Sequence, residues 1–422
     1  MESVESKPQS ASDRTEKKNL SLAAQKTVAD VNGSRANGSR ANIVSFVQRQ
    51  YEKLIRSGTE EIPFEIRFPS GAAHRIGNGE PTFEIAMVNE RGLRALASFN
   101  ELSIGEAYMN GDIDIEGDLL CALKLRSLLS DNNPVRRLLV TYVAPAFLGR
   151  VSSDRKWTRN HYEIDTEFFL LWLDKRFRGY SHGFFEDDAE PLDVGIERKF
   201  KFALEACRVK PGDRVLDIGG GWGSMLEYAG MQGIHVTSLT ISSESQKYME
   251  SVIKQKALDC KVVNRHFLEY KPAERFDAIL NCGVTEHLPD YRETIAQYRR
   301  LLKPGRRVYL DAYSESTKYG LSSFGAKWIF EGNAFGLCLH KYLAEVARTP
   351  FEVILIENDR WNYYLTTRKW AENLDAVRDT IVSRWGEHLY RRFRLYLWGC
   401  ASSFALRKLG AHHMVLELPA SV

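Results

Sequence analysis

Asp217, Gly219, Gly221 and Gly223 recur at every second position, between the apolar stretch "RVLDIG" and the helical pattern "WGSMLEYAGMQ". Glycines between a strand and a helix let backbone come close to a ligand while the helix N-terminus faces it. Two ligands compete for such a turn, a dinucleotide and S-adenosylmethionine. The dinucleotide fingerprint is GxGxxG, and the third glycine here does not fall on its last position. At the end of the next strand stands "LTIS", with no acid to hold an NAD ribose. The acid two residues before the first glycine also fits S-adenosylmethionine better.

The elements around this loop must position it. "IHVTSLTI", "CKVVNRHF", "FDAILNCG" and "RRVYLDAY" read as strands. "SSESQKYMESVIKQKAL", opening with a serine cap, and "YRETIAQYRRLL" read as helices. The alternation predicts an α/β fold, a doubly wound Rossmann-like domain over 161–422. Upstream, "NIVSFVQRQYEKLI" and "NERGLRALASF" have helical spacing, "FEIRFPSG" and "PTFEIAMV" alternate like strands, and "SIGEAYMNGDIDIEGD" reads as strand and turn. These predict a small α+β, lipid-binding-like domain over 43–130. Residues 1–42, with the tandem "NGSRANGSRAN", are too poor in apolar side chains to order themselves and are expected as a disordered tail. A linker helix is expected over 131–160. It includes "RRLLVTYVAPAFLGR", Arg136–Arg150, which reads as a buried inter-domain helix or as an interfacial one whose arginines meet lipid phosphates.

The chain has 422 residues, a net charge of +3 and 27% charged residues, too mild a balance to argue nucleic acid. No apolar run approaches the roughly 20 residues of a membrane span, and the N-terminus lacks the apolar core of a signal peptide. Six cysteines without a CxxC pair read as reduced thiols. A cytoplasmic protein, peripheral at the inner membrane face, is expected, and a homodimer is compatible with the sequence.

"RNHYEIDTEFFLLWLD", "YSHGFF", "VLDIGGGWGSMLEYAG", "LTISSESQK", "VTEHL", "LKPGRRVYL" and "YRRFRLYLWGCASSFALRKLG" together resemble the cyclopropane-fatty-acid synthase family, which includes the mycolic-acid methyltransferases. The resemblance spans roughly residues 45 to 418. It implies transfer of the methyl of S-adenosylmethionine to the double bond of an unsaturated acyl chain of phospholipid or fatty acid. Aromatic faces would steady the resulting carbocation, and a base would then remove a proton. Loss from the new methyl closes a cyclopropane; loss from a chain carbon leaves a methyl- or methylene-bearing chain. In that family a bicarbonate held by Cys, Glu, His and Tyr serves as the base. The matching positions here are His182 in place of the cysteine, Glu286, Asp311 in place of the histidine, and Tyr363. Asp311 brings negative charge to where bicarbonate would sit, which opposes its binding unless His182 is protonated. His182 itself is then the first choice for the base, oriented by Asp311 or Glu286. For the cofactor, the resemblance implies Tyr180, Ser181, Asp217, Gly219, Gly221, Gly223, Thr240, Ser245 with Gln246 beside it, and Phe267 near the adenine. A metal held by His182, Glu286 and Asp311 is weakly supported by three ligands on separate loops, and none is expected. Two rival functions stay open: a methyltransferase of the same fold acting on another hydrophobic small molecule, and a non-catalytic lipid-binding protein.

Overall fold

The computed structural model describes residues 36–56, 58, 60–129, 164–316, 322–330 and 335–421. The expected linker helix over 131–160, Arg136–Arg150 included, lies outside the described residues, as do residues 1–35 of the expected tail. Contacts divide the chain into Met1–Asn133 with Glu387–Leu395, and Pro134–Gly386 with Tyr396–Val422.

The first unit opens with α1 (Ala36–Arg56), which begins inside the segment expected as tail. Strands β1 (Phe64–Arg67), β2 (Ala73–Ile76), β3 (Phe83–Met87) and β4 (Ile113–Gly117) form a sheet in the order β2-β1-β3-β4. Only the central β1–β3 pair is parallel. Alternation buries Phe64 and Ile66 on one face of β1, and Phe64 stacks on Phe83 with ring centroids 5.1 Å apart. Of the stretch "SIGEAYMNGDIDIEGD", read as strand and turn, "IDIEG" is β4, whereas "SIGEAYM" is part of a helix, α3 (Glu101–Met109), which follows α2 (Glu90–Ser98). The Asn100 side chain caps it by accepting from the Ser103 amide at 3.0 Å, and Glu101 adds a favourable charge in the first turn.

Glu387–Leu395 joins this unit, contrary to the contiguous 161–422 domain expected. Arg391 supplies the reason. Its guanidinium donates to the carbonyls of Tyr108 and Ile113 at 3.2 and 3.3 Å and pairs with Asp114 at 3.2 Å. Arg391→Ala should therefore lower the unit's stability by about 2 kcal/mol, since it removes the donor shared by two carbonyls and a carboxylate. Chemical denaturation would show this as a lower midpoint, which Arg391→Lys recovers only in part because an ammonium lacks the planar fork.

The second unit holds seven strands: β5 (Arg214–Ile218), β6 (His235–Thr240), β7 (Lys261–Asn264), β8 (Phe276–Cys282), β9 (Leu302–Ser314), β10 (Glu352–Asn358) and β11 (Gly410–Glu417), in the order β10-β11-β9-β8-β5-β6-β7. The run from β7 to β9 is parallel, and β11 and β10 add antiparallel at one edge. The central strands are buried on both faces, as in "VLDI" of β5, so they read as apolar runs rather than alternating ones. From β5 the chain winds to β6 and β7 on one side and to β8 and β9 on the other. The crevice at that switch point, beyond the strand C-termini, is where ligands bind in such sheets. Four helices matter below: α4 (Leu192–Ala206), α5 (Ser224–Gly230), α6 (Ser243–Lys256) and α7 (Arg360–Ala376). Helix α6 starts where expected, with the Ser242 hydroxyl accepting from the Ser245 amide at 3.2 Å. No described helix is long and apolar enough to cross a membrane.

Candidate active site

Gly219, Gly221 and Gly223 take φ of 74°, 52° and 77°, the left-handed region that favours glycine. Beyond that shared need, their surroundings differ. A Cβ on Gly219 would lie 2.4 Å from a methyl of Val284, and one on Gly220 would lie 2.7 Å from the Met249 sulfur. A Cβ on Gly221 would meet nothing nearer than the Gly219 carbonyl oxygen at 3.9 Å. Packing excludes side chains at the first two positions, whereas Gly221 leaves open space beside a cleft. Gly219, Gly221, Thr240, Ser245 and Phe267 all line that cleft. Ser245 also secures the loop, its hydroxyl donating to the Gly221 carbonyl and accepting from Thr240 Oγ1 at 3.2 Å.

Five expected cofactor residues stand elsewhere. Asp217 sits behind the loop, 3% exposed, its carboxylate accepting from Ser238 Oγ at 2.7 Å. Burial pushes its carboxyl up to about 6, against the Ser238 bond and the Lys199 charge. Gln246 lies one position past Ser245 on α6 and binds Glu250 at 2.7 Å and Asn264 at 3.1 Å instead of lining the cleft. Gly223 N-caps α5. Tyr180 packs against Phe169, Trp172 and Trp370, and Ser181 accepts from Lys199 Nζ. This segment nonetheless abuts the site, since a Cβ on Gly283 would come within 3.3 Å of Ser181 Cβ. Among the lining residues that sequence reasoning missed are Trp222, Arg265 and His266. The first follows Gly221 directly, and the next two follow the C-terminal end of β7, the place to look for them. The cleft accepts S-adenosylmethionine on this chain's own features: bare backbone at Gly221, the Thr240 and Ser242 hydroxyls, and the Phe267 ring, with no carboxylate in the lining.

Beside the cleft, the four expected catalytic residues gather in a buried cluster. His182 and Asp311 are fully buried, with His182 Nδ1 3.8 Å from Asp311 Oδ1. The His182 ring stacks on Tyr363 at 4.7 Å, and Tyr363 stacks on Phe404 at 4.6 Å. Both faces of Tyr363 are thus covered, so it offers its hydroxyl edge rather than a face to a cation. Burial holds that hydroxyl far above its ordinary pKa, with Glu286 and Asp311 adding to the shift. Glu286 follows the cleft-lining Val284 in the turn Thr285–His287. Its Oε1 accepts from the Tyr313 amide at 3.0 Å, and Oε2 has no hydrogen-bond partner. Burial, reinforced by Asp311, pushes its carboxyl up to about 8.

Lys199 is a member that sequence reasoning missed. It is fully buried on α4, donates to Ser181 Oγ and lies 3.4 Å from Asp311 Oδ2. A buried ammonium needs a partner, and here the partner is Asp311, which also accepts from Tyr309 at 3.2 Å. Among the described residues, no group of three or more His, Cys, Asp or Glu side chains is arranged to hold a metal ion.

Sheet, loop and cleft define a Rossmann-like S-adenosylmethionine-dependent methyltransferase. The family model described as mycolic acid cyclopropane synthetase matches residues 150–414, and the chain belongs to that family. A second model, a domain of unknown function, matches residues 50–129. The chain is 28% identical over 350 residues to the cyclopropane-fatty-acyl-phospholipid synthase of Escherichia coli (strain K12), covering 81% of this chain and 89% of the relative. It is 25% identical over 388 residues to the "Probable fatty acid methyltransferase Rv3720" of Mycobacterium tuberculosis, covering 83% and 90%. The fold matches the crystal structure of mycolic acid cyclopropane synthase CmaA1 complexed with SAH and CTAB, with a TM-score of 0.58 at 22% identity over 62% of this chain and 97% of that one.

Proposed function

We propose that the protein methylates the double bond of an unsaturated acyl chain of lipid, with His182 taking the proton that leaves. The observation that carries this reading is the buried cluster of His182, Glu286, Asp311 and Tyr363 next to the cleft. When bound, S-adenosylmethionine would supply an electrophilic methyl group to the π electrons of the alkene, its sulfur keeping the electron pair of the broken methyl–sulfur bond. The residues do the rest. Thr240, Ser245, Gly219, Gly221 and Phe267 hold the cofactor, Asp217 braces the loop from behind, and Tyr180 and Ser181 close its edge. The aromatic walls exclude water from the cation. His182 removes a proton, whose C–H electron pair closes a ring or forms a new double bond. Imidazole is the side chain that most often serves as a general base. Asp311 already supplies a carboxylate facing His182, so the reaction runs without bicarbonate. The names of the relatives support a fatty acyl substrate. Because such a substrate is water-insoluble, the protein docks at a membrane surface, the inner face being the expected one.

The test is incubation with labelled S-adenosylmethionine in carbonate-depleted buffer, with vesicles of unsaturated or saturated phospholipid or with soluble acceptors. A mass gain of one CH2 on the unsaturated lipid alone is the expected result, and NMR distinguishes a cyclopropane from a branched chain. Transfer only to a soluble acceptor would replace the lipid reading with another substrate class. Cofactor binding without transfer to any acceptor would replace it with a binding function.

A further inference from the structure

His182 lies between two carboxylates, and the nearer is not the one the sequence suggested. Nε2 is 3.2 Å from Asp359 Oδ2, whereas Nδ1 is 3.8 Å from Asp311 Oδ1. The same Asp359 oxygen binds Nδ1 of His413 at 2.6 Å. Asp311 is already occupied on its other oxygen by Lys199 and Tyr309. Asp359 is 3% exposed and immobile: its amide donates to the Ala411 carbonyl at 2.9 Å, and its carbonyl accepts from the Tyr363 amide at 2.9 Å. It immediately precedes α7, so one element delivers both the carboxylate at the edge of His182 and the ring on its face. Neither nitrogen of His182 makes a well-aligned hydrogen bond, as expected of a group that aligns when substrate is bound.

We propose that Asp359, anchored by His413, is the positioning residue that orients His182 and selects its proton-accepting nitrogen. This inference rests on the reading of His182 as the proton acceptor. At rest, Nε2–H points to Asp359 and the lone pair is on Nδ1. When the substrate C–H bond breaks, its electron pair stays in the product and the proton goes to Nδ1. Asp311 Oδ1, which has no hydrogen-bond partner, then stands 3.8 Å from the charged ring at Nδ1. The charged ring is held by two carboxylates, as in a triad with a second acid. Asp359 stays ionised throughout. Burial opposes this, but His182 and His413 outweigh it and hold its carboxyl well below the ordinary range.

The groups facing His182 are Asp359 and Tyr363 at α7 and Asp311 on β9. Lys199, Tyr309 and Cys282 stand behind Asp311, and His413 behind Asp359. Removing the Asp359 charge while keeping the rest should lower the pKa of His182. Asp359→Asn is therefore expected to reduce kcat about 100-fold or more, with KM and cofactor affinity within about twofold. The acidic limb of the kcat/KM profile should move to lower pH. The 15N imidazole resonances of His182 should titrate correspondingly lower. His413→Gln should move both in the same direction by less, and Asp359→Glu should restore part of kcat. Should Asp359→Asn fail to fold, the His413→Gln shift decides, and its absence overturns the proposal. If His182→Ala abolishes turnover while Asp359→Asn leaves kcat and the limb unmoved, this proposal alone is wrong. If His182→Ala retains turnover, the reading of His182 as the acceptor is wrong, and this inference falls with it.

Discussion

Gly221→Val is expected to abolish S-adenosylmethionine binding while leaving the fold nearly intact. The position is open toward the cleft, so the new side chain displaces ligand rather than protein. The folding cost is the left-handed φ of 52°, on the order of 1–3 kcal/mol for a β-branched residue. Gly219→Val makes the contrast. Its side chain would strike Val284 and should destabilise the loop together with the turn that carries Glu286. Calorimetric titration and thermal melts of the two variants separate these effects. The Gly221 variant should melt near wild type with no binding heat, and the Gly219 variant should melt well below it. Unchanged affinity in the Gly221 variant would remove the cofactor site from this loop. Asp217→Ala should act by a third route. It removes the brace on Ser238 without touching the cleft, so it weakens binding by loosening the loop and lowers stability at the same time.

The loop was legible in the sequence because its chemistry is local. A strand, three glycines at alternate positions and a helix start are contiguous, and each imposes its own backbone requirement. The same locality made the Ser242 cap readable. Gln246 shows the limit: one residue along a helix is a rotation of about 100°, enough to turn a side chain from the cleft lined by Ser245 toward Glu250 and Asn264. The strand period did the same to Asp217, whose neighbour Ile218 faces the cleft while it faces Ser238. The place of His413 beside this cluster was illegible for another reason. Antiparallel pairing at the sheet edge puts His413 opposite Asp311 and Glu357 opposite His413, while parallel pairing puts Cys282 opposite Asp311. These residues form one row across four strands, although 131 positions separate Cys282 from His413 in the chain (413 − 282). No spacing in the sequence encodes that row. Lys199 was hidden because a lysine on an amphipathic helix reads as a solvated side chain until its helix is seen packed over Asp311.

Glu286→Gln should make the protein more stable at alkaline pH while nearly abolishing its activity. The folded carboxyl sits at about 8, against an ordinary value of 4.5. Between those values the folded protein keeps a proton that the unfolded chain has lost. The contribution is therefore fully present below pH 4.5 and is lost as pH rises toward 8. A tenfold difference in proton affinity between the folded and unfolded chain corresponds to about 1.4 kcal/mol, so the loss amounts to a few kcal/mol by about pH 9. Glutamine has no proton to lose and keeps the bond from the Tyr313 amide. The two proteins should melt together near pH 4.5 and diverge with rising pH, the variant melting higher. Activity should move the other way. Glu286 borders the cleft through Val284 and His287 and contributes to the field on Tyr363, and loss of a positioned acid–base group costs about 100- to 10,000-fold. Equal melting temperatures at about pH 9 would mean that Glu286 ionises without penalty, so that the pocket is wet and cannot shelter a carbocation. Full activity with the stability gain would mean that the carboxyl is buried for packing alone, and proton transfer would then rest with His182 and its two aspartates.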